Sequence, residues 1–483
     1  MNRQIVQLYT LLAVLFGILV FATSWWTVWG RDGLEDNTAN RRPILEDLRV
    51  PRGDILADDG TVLAHSNSQG SGEQKIYVRD YPEGSLFAHA IGYSFIDQRV
   101  GLEQSRNDEL TGEKNEFLTL FEELVGHERE GDDVHTNLNA EAQQVAEEAL
   151  GSNAGAVVAM EPSTGNVRVM ASSPTFDPNE WETRQRELNQ AEGAPIVNRA
   201  TQSRYPPGST MKVVTAAAAL DSGEYTPDSV VSGESPKIIG GAPLSNCCAE
   251  GSGDYGPLSL TQALTQSVNT VWAEVGETLG AGTMLDYMEK FGFNSDPPLD
   301  YPHDQMVESG VVKADGDLAD ENDGFDVGRV AIGQGGAEGQ TQTTPLQMAT
   351  VAATVGNDGV RMRPRLTDRI VDKDGRVRDT IDPSEEERVL KTESADQLQA
   401  MMESVVQSGT ATAAQIPGVA VAGKTGTAER GDGTNNAWFI SFAPADDPEV
   451  AIAVVVENTT GQGGQVAAPI AKQVMETLLQ ESG

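Results

Sequence analysis

A serine followed three residues later by a lysine is the first feature of this sequence that could do chemistry. The stretch 205–208, Tyr-Pro-Pro-Gly, predicts a turn, and Ser209 to Lys212 then open an apolar helical pattern over 213–220. Residues three apart on a helix share a face, so the Ser209 hydroxyl and the Lys212 amine can meet within one turn. Burial among Val and Ala side chains and the positive end of a helix both lower the pKa of an amine. A neutral Lys212 could then take the proton of Ser209 and make it a nucleophile.

A second hydroxyl and an amide side chain, separated by one residue, lie further along the chain. Ser267 and Asn269 lie in a segment, 264–272, whose apolar spacing predicts a helix. Ser267 could relay protons between a nucleophile and a leaving amine, and Asn269 could hold a substrate amide. As an isolated tripeptide this pattern is more often part of a helix surface, and that alternative stays open.

The third motif is Lys-Thr-Gly-Thr at 424–427. It continues the alternating Val and Ala residues that begin at 419, which predict a β-strand, so its side chains and backbone N–H groups are expected to line the edge of a sheet. Lys424 and the hydroxyls of Thr425 and Thr427 suit a substrate that bears a carboxylate. Gly426 lets another backbone approach closely.

The same segment also matches the phosphate-loop pattern of nucleotide hydrolases, over 418–425. A phosphate loop follows a strand and opens a helix, because the helix N-terminus binds the phosphates. Here the residues between the glycines are themselves strand-like, and 426–435 is rich in turn residues. A nucleotide hydrolase is therefore kept only as a distant alternative.

The residues around these motifs predict an α+β fold. Five apolar runs have the length and the flanking turn signals of strands, and they lie at 156–160, 166–171, 419–427, 437–442 and 450–457. Helical patterns fill the chain between the second and third strand, and a final helix is predicted over 467–479. Two early strands and three late ones favour a single antiparallel five-stranded sheet with helices on its faces. The chain changes near 155 from a helical pattern rich in Ala, Glu and Gln to apolar strand-like runs, and this change predicts a domain boundary near 152.

A long segment without charge, 4–30, occupies the amino-terminal end. As a helix, about 25 residues rise about 37 Å, enough for the roughly 30 Å hydrocarbon core of a bilayer. Three tryptophans at its far end suit the membrane–water boundary. We predict a cytoplasmic tail over 1–4, a transmembrane anchor over 5–29 and an extracellular catalytic portion, an orientation that Arg3 supports only weakly. A signal peptide cleaved near Ala22 stays open as an alternative.

Composition narrows the chemistry further. The chain has 73 Asp and Glu against 34 Lys and Arg, a net charge of −39, which excludes a surface that coats nucleic acid. Its two cysteines, Cys247 and Cys248, are neighbours and cannot form a four-thiolate zinc site. Among the five histidines no pair has the i, i+4 spacing of a helical metal site. We therefore expect no metal and no cofactor. The acidic excess indicates either a solvated surface or adaptation to high salt.

The three motifs, in this order, resemble those of penicillin-binding proteins and serine β-lactamases. Further segments resemble class B penicillin-binding proteins, and within them the actinobacterial PbpA type. These segments are Arg52-Gly53-Asp54-Ile55-Leu56 with Gly60, Gly101-Leu102-Glu103, Gly131-Asp132-Asp133-Val134 with Thr136, Ile332-Gly333-Gln334-Gly335, Thr344-Pro345-Leu346-Gln347-Met348-Ala349 and Trp438-Phe439. The resemblance implies a mixed α/β pedestal domain of the dimerisation type over 30–151 and a penicillin-binding transpeptidase domain over 152–483.

The resemblance also implies a role for each motif residue. Ser209 would be the acylated nucleophile, Lys212 its general base and Ser267 a proton relay. Backbone N–H groups of Ser209 and Thr427 would form the oxyanion hole, where one such donor contributes about 3–4 kcal/mol to transition-state stabilisation.

The remaining motif residues would bind substrate. Asn269 would hold the donor peptide, and Lys424, Thr425 and Thr427 would bind its terminal carboxylate. The implied reaction is a two-step acyl transfer that cleaves the D-Ala-D-Ala bond of a peptidoglycan stem peptide and passes the acyl group to the amine of a neighbouring strand. Carboxypeptidase activity stays open, and β-lactams would acylate Ser209 and remain bound.

A β-lactam sensor or a β-lactamase is the alternative within the same resemblance. A sensor would be expected to carry a signalling domain, and a β-lactamase would need a deacylating base that the sequence does not reveal. The implied partners are stem peptides, β-lactams and the membrane. Residues 30–150 carry no glycosyltransferase signature, so a polytopic glycosyltransferase of the SEDS type is expected as a partner by family analogy.

Overall fold

The computed structural model describes residues 2–28, 48–95, 98–112, 129–246, 253–336 and 338–481. Cys247 and Cys248 lie outside these residues. The chain divides into two compact units. One comprises Met1–Pro51 and Asn67–Val78, and the other comprises Arg52–Ser66 and Arg79–Gly483.

A single long helix, Asn2–Val28, dominates the first unit. Among the described residues it is the one helix that is long and apolar enough to cross a membrane, over Arg3–Trp25. Its large apolar side chains, such as Leu15 and Phe16, are exposed. This pattern is typical of a lipid-facing segment. The anchor over 5–29 stays a prediction, because a signal sequence shares the length and composition of this helix.

A five-stranded sheet forms the centre of the second unit. Every neighbouring pair is antiparallel, in the spatial order Ala422–Glu429, Asn435–Ala443, Val450–Thr459, Gly155–Met160, Val167–Ser173. The predicted sheet is thus confirmed in strand number and direction. The prediction that its edge strand begins at 419 is wrong, because regular pairing starts only at Ala422, opposite Phe442. Two residues beyond Phe442 stands Pro444, which has no N–H for a ladder.

The two faces of the edge strand meet different elements. The backbone of Gly426 lies against Pro207 and Trp438, whereas Thr425 lies against Gly464, in the last helix, Gly463–Glu481. Side chains alternate between faces along a strand, so Lys424 shares the Gly426 face. The sheet therefore offers its Lys424 face to the segment that carries Ser209.

A second sheet combines strands from both sides of the predicted boundary at 152. It includes, in spatial order, Val377–Thr380, Thr367–Val371, Asp133–Thr136, Ile55–Leu56 and Val62–Gln69. The Ile55–Leu56 and Asp133–Thr136 strands are parallel, and the other pairs are antiparallel. Part of this sheet therefore comes from residues far beyond 152, and the division at that position stays a prediction.

Shorter elements complete the chain. Further strands are Ile76–Asp80, Val230–Ser232, Lys237–Ile239, Ala242–Leu244, Pro257–Ser259, Gly310–Val312, Gly335–Gly336, Gly339–Gln342, Val360–Met362 and Glu385–Arg388. Further α-helices are Ala88–Ile91, Leu102–Ser105, Asn107–Leu110, Ala140–Leu150, Trp181–Gln190, Lys212–Asp221, Leu260–Thr265, Asn269–Lys290, Val327–Val330, Pro345–Gly356 and Thr392–Ser408. Single 3-10 turns occupy Gly72–Gln74, Pro178–Glu180, Gly208–Met211, His303–Gln305 and Thr412–Ala414.

The Arg-Gly-Asp stretch at 52–54 has a structural role. The guanidinium groups of Arg52 and Arg79 donate to the Glu103 carboxylate at 2.9 and 2.5 Å, and the Glu103 side chain is fully buried. A Cβ on Gly53 would lie 2.0 Å from the Asp132 carbonyl oxygen. A buried carboxylate persists only when it is paired, and here two cations pair with it.

Helix Ala140–Leu150 carries an acid whose burial predicts a pH-dependent stability. Burial raises the pKa of Glu147 from 4.5 to about 8. A raised folded-state pKa favours folding below pH 4.5, and this contribution is lost as the pH rises through about 8. We expect Glu147→Gln to raise the melting temperature at pH 9 and to leave it unchanged at pH 4.

The neighbouring Glu148→Gln variant is the control. Glu148 is exposed on the same helix, and the substitution removes the same charge. Thermal denaturation of both variants at both pH values separates burial from the general repulsion of a chain of charge −39. Equal gains for both variants at pH 9 would contradict the prediction.

Candidate active site

Ser209 lies at the start of a continuous helical segment. A 3-10 turn, Gly208–Met211, leads directly into the α-helix Lys212–Asp221, so Ser209 and Lys212 are separated by one helical turn, as predicted. Ser209 is half-buried, whereas Lys212 is fully buried. The serine therefore remains reachable from solvent while the amine is held inside.

Glycines allow the edge strand and the Ser209 turn to approach closely. Gly208 has φ 53°, and a Cβ there would lie 3.0 Å from the Thr427 carbonyl oxygen. A Cβ on Gly426 would lie 2.6 Å from the Pro207 carbonyl oxygen, and one on Gly333 would lie 2.1 Å from the Gly208 oxygen. Any side chain at these positions would push the Ser209 turn away from its neighbours.

Two aromatic residues fix the segment before Ser209. The Trp438 indole N–H donates to the Pro206 carbonyl at 3.0 Å, and the ring lies edge-on to Tyr205 with centroids 6.0 Å apart. Tyr205 in turn donates its hydroxyl to Glu457 at 2.6 Å, and Arg199 donates to the same carboxylate oxygen at 2.8 Å. Burial and the nearby Glu457 raise the pKa of Tyr205, so its hydroxyl keeps the proton that it donates.

Lys212 reaches the second motif. Its Nζ lies 2.7 Å from Asn269 Oδ1, 2.8 Å from the Ser267 carbonyl oxygen and 3.2 Å from Ser267 Oγ. The structure therefore brings the first two motifs together at the amine. Because the Asn269 oxygen accepts from Lys212, its NH2 group is oriented to donate, and it lies 3.4 Å from the Ser245 carbonyl.

The prediction that Ser267 lies within a helix is wrong. Helix Leu260–Thr265 ends before it, and the next helix begins at Asn269. Ser267 itself has φ 55°, in the left-handed region that L-residues seldom adopt. The motif therefore spans a break between two helices, which turns both the hydroxyl and the carbonyl of Ser267 towards Lys212.

Lys424 completes the cluster from the edge strand. Its Nζ is fully buried and donates to Ser267 Oγ at 2.9 Å and to the Thr425 carbonyl at 3.0 Å. The Ser267 hydroxyl thus lies between two amines, and it accepts from each amine that is charged and can donate to one that is neutral. This arrangement suits a proton relay.

Thr425 and Thr427 extend from the opposite face of the strand. The Thr425 hydroxyl lies 2.6 Å from that of Thr410, and the Thr427 hydroxyl accepts from the Gly463 backbone N–H at 3.2 Å. The structure therefore brings Lys212, Ser267, Asn269 and Lys424 into one cluster but places the Thr425 hydroxyl against Thr410 and the Thr427 hydroxyl against the start of the last helix. Binding of a carboxylate by these hydroxyls stays a prediction.

The phosphate-loop alternative does not fit this geometry. Gly423 to Thr425 lie inside a β-strand that runs on to Glu429 and is paired with Phe439 to Ser441, so they do not lead into a helix as a phosphate loop does. Among the described residues no group of three or more His, Cys, Asp and Glu side chains is placed to hold a metal ion.

Sequence reasoning missed three residues that support the cluster. Asn246 accepts from the Thr270 N–H at 2.9 Å and fixes the start of the helix that carries Asn269. Thr410 contacts Thr425, and Glu457 holds Tyr205, as described above. The one signal that could have found Thr410 is the pair Gly463-Gly464, since a Cβ on Gly464 would lie 2.1 Å from the Thr410 carbonyl.

Comparison with known sequences agrees with this architecture. The profile of the penicillin binding protein transpeptidase domain matches residues 155–476, and that of the penicillin binding protein A dimerisation domain matches residues 52–134. The peptidoglycan D,D-transpeptidase PbpA of Mycolicibacterium smegmatis is 33% identical over the whole of both chains. The protein of the same name from Mycobacterium tuberculosis is also 33% identical and covers 99% of each chain.

Solved structures give the same result. Penicillin-binding protein A from M. tuberculosis, determined as a ceftriaxone acyl-enzyme complex, superposes with a TM-score of 0.78 at 33% identity, covering 90% of this chain and all of that one. A D,D-transpeptidase domain from Eggerthella lenta gives a TM-score of 0.78 at 34% identity, covering 90% and 99% of the two chains. Matches of this extent over both domain profiles leave one conclusion: the chain belongs to the penicillin-binding protein transpeptidases.

Proposed function

We propose that the chain is a serine D,D-transpeptidase that cross-links peptidoglycan stem peptides and is inhibited covalently by β-lactams. One observation carries the proposal. A half-buried serine at a helix start stands one turn before a fully buried lysine that is hydrogen-bonded to Ser267 and Asn269. This arrangement can activate a hydroxyl without a histidine or a metal.

The acylation half-reaction follows from these contacts. Lys212 takes the proton of Ser209, whose oxygen attacks the carbonyl carbon of the penultimate D-Ala. The backbone N–H groups of Ser209 and Thr427 stabilise the oxyanion, a proposal supported by the close approach of Gly208 to the Thr427 backbone. Ser267 passes the proton to the departing amine, and D-Ala leaves. Asn269 donates its NH2 group to a peptide carbonyl, and Lys424 attracts the terminal carboxylate. Thr425 and Thr427 bind that carboxylate only once their hydroxyls turn away from Thr410 and Gly463.

The second half-reaction regenerates Ser209. An amine from a neighbouring stem peptide attacks the ester carbonyl, and its proton passes to the Lys212–Ser267 pair. The pair returns a proton to the Ser209 oxygen as the Ser209–acyl bond breaks. A β-lactam forms the same ester but keeps its leaving group tethered, so the acceptor amine has no clear approach. The proposal therefore predicts both cross-linking and trapping by one residue.

Intact mass spectrometry after penicillin G treatment tests the proposal. We expect one adduct of the mass of the antibiotic, mapped to the peptide that contains Ser209, together with release of D-Ala from a pentapeptide when the antibiotic is absent. Rapid loss of the adduct would favour a β-lactamase. An adduct on another residue would contradict the assignment.

The ion pair between Arg199 and Glu457 predicts a positioning effect on this reaction. Both side chains are largely buried, at 7% and 15% exposed, and Glu457 holds Tyr205 in the segment that leads to Ser209. We expect Glu457→Gln to slow acylation about ten- to a hundredfold, because small displacements of a reacting atom are costly. Affinity for the initial penicillin complex should stay unchanged.

Stopped-flow acylation kinetics separate the rate constant from that affinity. Glu429→Gln is the control, since Glu429 is exposed at the end of the edge strand. If both variants slow acylation equally, the effect comes from surface charge and the positioning role is wrong.

We further propose that the catalytic domain is extracellular. Helix Asn2–Val28 would anchor the chain in the membrane, and stem peptides are cross-linked on the outer side of that membrane. The division into 1–4, 5–29, 30–151 and 152–483 belongs to the same proposal. A SEDS-type glycosyltransferase remains the proposed partner by family analogy. Co-purification of a polytopic glycosyltransferase with the full chain from detergent extracts would test it.

A further inference from the structure

A cavity of about 640 Å³ lies outside the active site. Its walls come from the segment 88–104, from 176–202 and from 301–305, and none of the motif residues Ser209, Lys212, Ser267, Asn269 or Lys424 lines it. This volume falls within the range of roughly 300–1,000 Å³ that ligand pockets occupy.

The walls of this cavity are unusually rich in carboxamides and almost neutral. Seven of its seventeen lining residues are Asn or Gln, against a single base, Arg99, and a single acid, Asp304. Burial lowers the pKa of His89 to about 4, so this lining residue is uncharged near neutral pH. In a chain of net charge −39 such a surface suits an uncharged ligand with many polar groups.

Two of the glutamines are oriented by hydrogen bonds to their side-chain oxygens, which leaves their NH2 groups as donors. The Gln202 Oε1 atom accepts from the Asn198 backbone N–H at 2.9 Å, and the Gln104 Oε1 atom accepts from Gln305 Nε2 at 2.8 Å. With each oxygen fixed, the Nε2 groups of Gln104 and Gln202 have no hydrogen-bond acceptor among the described residues. Both side chains line the cavity, so their N–H groups can donate to carbonyl or hydroxyl oxygens of a ligand.

Apolar residues complete the lining. The rings of Tyr93 and Trp181 pack with centroids 4.5 Å apart, and the half-buried side chains of Val100 and Ile196 lie beside them. Saccharide rings present an apolar C–H face and a rim of hydroxyls, and they therefore match a wall that combines apolar groups with amide donors.

We propose that this cavity binds an uncharged N-acetylated saccharide. The near-neutral lining of the cavity and the arrangement of its amide donors support a saccharide as the class of ligand. The choice of an N-acetylated sugar rests on the proposed function, since the glycan of the same polymer is the source of such a ligand. The site would hold a glycan strand while the active site processes the attached peptides.

Titration calorimetry with N,N′,N″,N‴-tetraacetylchitotetraose tests the proposal on the full chain in detergent. We expect wild-type protein to bind, and Gln104→Leu and Gln202→Leu each to bind about tenfold more weakly, the loss expected for one hydrogen bond. Gln144→Leu is the matched control, since Gln144 is exposed and does not line the cavity. It should bind as the wild type does.

Penicillin acylation is measured on the same samples and should be unchanged in all three variants, which shows that they are folded. No binding by wild-type protein at millimolar saccharide would overturn the proposal, as would equal weakening by the control. Loss of binding once Ser209 is acylated would place the saccharide in the active site and overturn it too. Failure of acylation with saccharide binding intact would count against the proposed function alone.

Discussion

Ser209→Ala should abolish covalent labelling by a fluorescent penicillin. The reason is chemical: in the proposed reaction the ester forms at the Ser209 oxygen, and the other hydroxyl of the turn, on the buried Thr210, donates to the Pro207 carbonyl. The side chain is half-buried at the start of the helical segment, so its loss leaves neither a large cavity nor a buried unpaired group. In-gel fluorescence after saturating labelling should fall to background, while the melting temperature stays within about 2 °C of wild type, as for other surface substitutions.

Ser222→Ala is the matched control. Ser222 immediately follows the same helix, and the substitution likewise removes one serine hydroxyl. It should label like the wild type. Undiminished labelling of Ser209→Ala would end the assignment of the nucleophile, and with it the proposed reaction.

Lys212→Met should slow acylation by about a hundred- to ten-thousandfold, the usual contribution of a general base. Methionine fills nearly the same volume as lysine in a fully buried position but has no amine. The Asn269 Oδ1 and Ser267 carbonyl oxygens lose their donor, which should also destabilise the fold by about 1–3 kcal/mol for each unsatisfied group.

Acylation rates by stopped flow and unfolding by denaturant separate these two effects. Lys290→Met is the control, since Lys290 ends a helix and is partly exposed beside Asp286. It should change neither rate nor stability by much. An acylation rate for Lys212→Met within threefold of wild type would show that another group takes the Ser209 proton.

Local sequence patterns predicted the central sheet well because its three inner strands are largely apolar on both faces and its strands are bounded by turn residues. They failed at Ser267 for an identifiable reason. Leu264, Val268 and Trp272 keep a four-residue spacing and are all buried, so the helical period continues through a break. The break depends on the left-handed backbone of Ser267, which no apolar pattern encodes.

The second sheet could not be predicted from local patterns either. The strand Asp133–Thr136 pairs with Thr367–Val371, more than two hundred residues away, and pairing at that distance has no local signature. The same holds for the contact of Lys212 with Asn269, which lies 57 residues further on. The sequence motifs named the reacting groups, but the fold decides which of them meet.

The edge position of Ala422–Glu429 has a consequence for what the enzyme can accept. Among the described residues this strand pairs with one neighbour, so alternate backbone N–H and C=O groups on its outer side can pair with an incoming peptide as a temporary sixth strand. Only an extended chain could make those bonds and bring a carbonyl beside Ser209. A stem peptide that coils, or one bent by proline, would then be rejected before any bond is broken.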